Sequence, residues 1–152
     1  MTPYDKLRPC TEVESCECAS VMGLLLVSIL APNPIHCAEC RKEIDPERLG
    51  LILLEVEELA RCFGVYEALY RLWLDSGEYE TYAKEKLLDP RGEVNVEAMR
   101  VAREYNIRWP TYYWMFRDVD DGEPTLCPSC GQPLDLRVKW GWRNCDACRV
   151  LV

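Results

Sequence analysis

A chain of 152 residues with 49% apolar and 10% aromatic residues can fill one packed core, which excludes global disorder. Its 26 acidic residues against 18 basic ones weigh against a general nucleic-acid coat protein, which needs surplus cations for phosphate. Ten cysteines beside a single histidine disfavour a histidine-based hydrolase and point to sulfur chemistry.

Residues 1–15 read as a loose leader in which Cys10 is a free thiol. Ahead of the first apolar run lie Asp5, Glu12, Glu14 and Glu17 against Lys6 and Arg8, so the basic charge of a signal peptide is missing. The apolar run over 21–30 is too short to span a bilayer. Its length and its Leu, Val and Ile content predict a buried strand, with a short helix as the other reading. We therefore expect a soluble, unprocessed, cytoplasmic protein in a reducing compartment. There, close cysteine pairs mean metal or redox chemistry rather than a disulfide framework.

Residues 16–50 form the strand and first knuckle region. Cys16-Glu17-Cys18 precedes the apolar run and Cys37-Ala38-Glu39-Cys40 follows it. A strand leaving one pair, with a return through Pro32-Asn33-Pro34, would bring all four sulfurs to one zinc ion. The other reading pairs Cys37 and Cys40 with Cys10 or His36.

Residues 51–109 read as helical. Val56, Leu59, Phe63, Tyr66, Tyr70 and Trp73 repeat at helical spacing and predict a helix over 55–76, ended by Ser76-Gly77. Cys62 falls on this helix as a small buried residue, and Gly64 weakens its middle. The aromatic stripe reads as core packing against strands, because two heptads are too few for a coiled coil. A second helix covers 79–88, stopped by Asp89-Pro90. A third runs over 95–105 with Asn95 as its N-cap.

Residues 110–152 read as a strand plus a C-terminal zinc ribbon. Pro110 opens a strand over 112–117 with Tyr112, Trp114 and Phe116 on one face, and an acidic turn follows over 118–123. Cys127-Pro128-Ser129-Cys130-Gly131 and Cys145-Asp146-Ala147-Cys148 are then two knuckles at the ends of a short hairpin. A two-residue spacer lets both thiolates face one ion, and Gly131 can take positive φ, turning backbone N–H groups toward sulfur. Arg149 in the matching place makes the second turn less ideal. A thioredoxin-like redox pair is the competing reading of these motifs. The fold class is α+β: a helical middle flanked by short antiparallel β regions with zinc knuckles.

The succession of Cys16-Glu17-Cys18, the apolar strand, Asn33-Pro34-Ile35-His36-Cys37-Ala38-Glu39-Cys40, the tyrosine-rich helix, Pro110-Thr111-Tyr112-Tyr113-Trp114 and the ribbon resembles a bacterial family of uncharacterised zinc-ribbon proteins. The likeness runs from Cys16 to the C-terminus. It implies zinc at both cysteine sets and a nucleic-acid-binding activity. Family members carry a further N-terminal region, and a glycine-rich first knuckle where this chain has Cys40-Arg41-Lys42-Glu43.

Two functions compete. Residues 41–126 hold 12 basic against 19 acidic residues, an acidic surface suited to a basic protein partner. Such a protein would neutralise a basic nuclease or toxin, or serve as an adaptor. Alternatively, Arg137, Lys139, Trp140, Trp142 and Arg143 interleave cations with indoles, the chemistry of single-stranded nucleic-acid contact. Catalysis is not expected, because two closed four-sulfur zinc sites offer no exchangeable position.

Overall fold

The structure is a computed structural model that describes residues 2–9, 14–28, 30–135 and 143–152. Among the described residues, five short strands and three α-helices follow in the order β1 (Leu24–Leu26), β2 (Ile35–Cys37), α1 (Leu53–Asp75), α2 (Glu80–Leu88), α3 (Glu93–Tyr105), β3 (Thr111–Trp114), β4 (Asn144–Cys145) and β5 (Val150–Leu151). The α+β class and the helical middle segment are as expected from sequence.

The strands make one mixed sheet in the order β2-β1-β3-β5-β4. Both outer pairs are antiparallel, with Leu26 opposite Ile35 and Cys145 opposite Val150. Two parallel pairings join them through β3, where Leu26 lies opposite Tyr113 and Tyr113 opposite Val150. The two knuckle regions, far apart in sequence, are thus opposite edges of one sheet.

Alternation of side chains divides the sheet into two faces. Leu24, Leu26, Ile35, Cys37, Tyr113 and Val150 are buried in the main core together with Val56, Leu59, Phe63 and Tyr66 of α1. The aromatic stripe does pack against the strands. Phe63 and Tyr66 meet Tyr113 edge-on at 6.1 and 6.3 Å, and Trp73 meets Phe116 at 4.9 Å. Each such pair adds about 0.5–1.5 kcal/mol beyond area burial. Cys62 is buried on α1, whereas Gly64 is exposed, and a Cβ added there would meet nothing within 4 Å. Glycine therefore costs that helix propensity without serving a contact.

Three expectations need correction. The leader is not loose over residues 2–9: Leu7 is fully buried, the Tyr4 hydroxyl donates to the Leu51 carbonyl at 3.0 Å, and Lys6 pairs with Glu57 at 2.7 Å. Cys10 lies outside the described residues. Asn95 is not an N-cap, since Gly92 holds that place and Asn95 is buried inside α3. The strand after Pro110 covers Thr111–Trp114 only, so Tyr112 and Trp114 share one half-buried face as expected, while Phe116 lies beyond the strand and is buried in the main core. Among the described residues, no helix is long and apolar enough to cross a membrane.

Candidate metal centres

The first centre grows from a hairpin. After β2, the chain turns through Cys37-Ala38-Glu39-Cys40 and comes back beside itself. Arg41 N–H donates to the Cys37 carbonyl at 2.8 Å, Cys37 N–H to Lys42 at 2.9 Å, and Ile44 N–H to Ile35 at 2.9 Å. The returning backbone at Glu43 then takes the N-terminal segment as a neighbour: Cys16 N–H donates to the Glu43 carbonyl at 2.7 Å. That pairing delivers Cys16 and Cys18 to the knuckle. The ligand atoms of Cys16, Cys18, Cys37 and Cys40 all lie within 4.8 Å of one another.

Two polar side chains fix this arrangement. Asn33, fully buried in the Pro32-Asn33-Pro34 turn, accepts from Ile35 N–H and donates to the Ile44 carbonyl, both at 2.9 Å. It staples the turn to the knuckle, as the return through this turn required. Arg48 reaches from the following loop, donating to the Cys16 carbonyl at 2.7 Å and also to the Cys18 carbonyl. His36 is not among the grouped ligands. Its Nδ1–H donates to the Pro34 carbonyl at 3.1 Å, and burial holds its pKa below the usual histidine value.

The second centre is the ribbon. Cys127 N–H donates to Gln132 at 2.8 Å and Gly131 N–H to Cys127 at 2.9 Å, closing the first knuckle. Gly131 takes φ 75°, the left-handed conformation its lack of a Cβ allows. The second knuckle is the turn between β4 and β5, and Asp135 N–H donates to Asn144 at 2.8 Å to join the two. Arg149 adopts φ 58° in the place of glycine. Its side chain has uses there: Nε donates to the Thr111 carbonyl at 2.9 Å, and the guanidinium lies 4.0 Å from the Tyr112 ring centre. Cys127, Cys130, Cys145 and Cys148 form the second group of ligand atoms within 4.8 Å of one another.

Both groups fit zinc. Four thiolates at about 2.3 Å from a tetrahedral ion stand about 3.8 Å apart. Cys18 and Cys37 sulfurs are 4.0 Å apart and Cys130 and Cys145 sulfurs 3.7 Å apart. Thiol ionisation follows the same logic. Burial opposes ionisation of Cys16, but hydrogen bonds from the Cys18 backbone and from the Cys40, Cys37 and Cys18 thiols outweigh it and lower its pKa to about 7. Cys18, which donates to Cys16 and Cys40, is pushed up to about 12. In the ribbon, the Gln132 backbone N–H holds Cys130 below the usual thiol value, while burial pushes Cys127 up to about 12. In the first group burial likewise raises Cys40, and in the ribbon it raises Cys148, so a thiol held low stands beside thiols held high in each group. A dication removes that resistance to ionisation. Each tetracysteine group could hold a zinc ion closed on all four sides, a structural rather than a hydrolytic centre.

Of the cations and indoles proposed for nucleic acid, Arg137, Lys139, Trp140 and Trp142 lie outside the described residues. Arg143 donates to the Pro124 carbonyl at 3.2 Å and lies 3.6 Å from Glu123. The Pro32-Asn33-Pro34 turn was legible in the sequence, though not the bonds that Asn33 makes there. Arg48 was missed, and nothing local marks it. No protein-family model, curated protein or solved structure matches this chain.

Proposed function

We propose that the protein is a non-catalytic recognition protein whose two zinc centres hold the sheet edges and whose partner is a basic protein. Membership of the bacterial zinc-ribbon family it resembles, a reducing cytoplasmic setting and a role as neutraliser or adaptor belong to the same reading. What supports it most is how the helical cations are used. Arg100 is shared by Glu58, Glu97 and Glu104, and Lys84 by Asp118 and Asp121, so carboxylates outnumber the cations that meet them. Exposed Asp75, Glu78, Glu80, Glu85 and Glu93 enter no ion pair among the described residues. Zinc deepens the imbalance. A four-thiolate zinc centre carries about −2, which takes the chain from its formal −8 to about −12.

The test is a salt series on the zinc-loaded chain against a labelled polyarginine peptide and against labelled single-stranded DNA and RNA. Salt-sensitive binding of the polycation alone is expected. Binding of the nucleic acids with none of the polycation would overturn the reading in favour of the ribbon as a nucleic-acid surface.

A further inference from the structure

A cavity of about 190 Å³ opens where the helices, the sheet and the ribbon meet. Its floor is apolar: Met115, Phe116 and Val152 line it and are 1%, 5% and 4% exposed. Leu88 at the end of α2 also lines it, and the ribbon contributes a wall of Leu126 and Pro128, on either side of the zinc-site Cys127. Leu126 is 54% exposed, so this wall leaves apolar surface in water. An engineered cavity of about 150 Å³ admits benzene, so the space suits one long side chain.

The mouth has the opposite character. Asp121 and Glu123 line it with side chains 51% and 70% exposed, and Asp120, just before them in the chain, is exposed as well. Arg117 and Asp118 also line the cavity. The acidic loop is braced from both sides rather than hanging free. Lys84 holds Asp118 at 2.8 Å and Asp121 at 3.0 Å, and Arg143 reaches it from the ribbon at Pro124 and Glu123. Between them Gly122 takes φ 82° and ψ −178°, a backbone region essentially restricted to glycine. An apolar shaft under a carboxylate rim matches a side chain with a methylene stem and a cationic head.

We propose that this cavity receives a lysine or arginine side chain of the protein partner, with the stem against Met115, Phe116 and Leu126 and the head at Asp121 and Glu123. The inference rests on the reading of the partner as a basic protein and says where that partner is gripped. It also gives the C-terminal zinc a task, because the wall carrying Leu126 and Pro128 is set by the knuckle at Cys127.

Amide chemical shifts of the zinc-loaded full chain, titrated with acetyl-Gly-Arg-Gly-amide and acetyl-Gly-Lys-Gly-amide, test this. Shifts are expected at Leu88, Met115 to Glu123 and Leu126, with Glu123→Gln weakening them about two- to fivefold. The matching norleucine peptide, which keeps the stem and lacks the charge, should be weaker by a similar factor. Shifts confined to the α1–α2 acidic face would overturn the cavity while leaving a basic partner standing. Silence toward every cationic peptide, together with failure of polyarginine to bind, would overturn both. Equal response to norleucine would show an apolar slot with no use for its rim, and the cationic occupant would be wrong.

Discussion

The Tyr113 hydroxyl donates to the Asn95 side-chain oxygen across 2.7 Å, and both residues are fully buried. Tyr113 lies on the middle strand of the sheet and Asn95 in the first turn of α3. The Asn95 amide nitrogen spends its two hydrogens on the carbonyls of Leu87 at 2.9 Å and Asp89 at 2.8 Å. One amide therefore ties the end of α2, the start of α3 and the central strand.

That tie predicts unequal losses from its two ends. Tyr113→Phe leaves one buried acceptor unmet, at about 1–3 kcal/mol. Asn95→Ala strands the tyrosine hydroxyl and the Leu87 carbonyl together, while the Asp89 carbonyl keeps its bond from Gly92 N–H, and should cost about 3 kcal/mol or more. Denaturant unfolding of the zinc-loaded protein measures both. Equal losses would mean that the amide nitrogen contributes nothing at the α2–α3 junction.

Zinc content makes a second prediction. The intact chain should carry two zincs by elemental analysis, and Cys37→Ser or Cys145→Ser should each remove one. Structural zinc is worth about 10–16 kcal/mol in isolated fingers, comparable to the whole stability of a domain. Both losses should reach the main core, because Ile35, Cys37 and Ile44 of the first centre and Val150 and Val152, which follow the second ribbon knuckle, all sit in it. Circular dichroism should show loss beyond the ribbon itself. Native melting of Cys145→Ser with its zinc gone would contradict this coupling of ribbon to core.

How far these features could be read from sequence depends on how local their cause is. C-x-x-C spacing reports ligand geometry within a few residues, so both cysteine groups were legible. Helical periodicity placed α1 to within two residues at its start and one at its end. The parallel pairing of β1, β3 and β5 had no local signal, since its partners lie far apart along the chain. Tyr112-Tyr113-Trp114-Met115-Phe116 is apolar throughout, so alternation could not say which face turned inward. Asn95 has the residue type of a cap, and only its burial reveals a tertiary role. Leu7 is a lone apolar residue among polar ones, which carries no period at all.

Knuckle backbones yield a third prediction. The residue after the second cysteine takes left-handed φ in all three C-x-x-C turns: Arg41 at 62°, Gly131 at 75° and Arg149 at 58°. A side chain there costs about 1 kcal/mol that glycine avoids. At Arg149 the cost is offset by the bond to Thr111 and the stack on Tyr112. Arg149→Ala loses these contacts and keeps the backbone cost, whereas Arg149→Gly loses the contacts and sheds the cost. We expect both to be less stable than the parent, with the glycine variant about 1 kcal/mol above the alanine one. Identical thermal unfolding of the two would show that the turn is unstrained.

Arg48 supplies the last prediction. Its guanidinium binds the carbonyls of Cys16 and Cys18, so it orients two ligands without touching the ion's place. Among the described residues, the backbone joins the segment bearing those ligands to the knuckle through Cys16 N–H to Glu43 and Glu43 N–H to Glu14. Removing a residue that orients metal ligands from behind typically costs about 10- to 100-fold in metal affinity. Arg48→Ala should therefore weaken zinc at the first centre by about 10-fold or more, leaving the ribbon centre unchanged. Competition with a chromogenic chelator separates the two ions by their release. Lysine at this position can reach only one carbonyl at a time and should restore part of the loss, because the guanidinium fork spans both. If Arg48→Ala releases both zincs alike, the arginine is supporting the fold as a whole and not this centre.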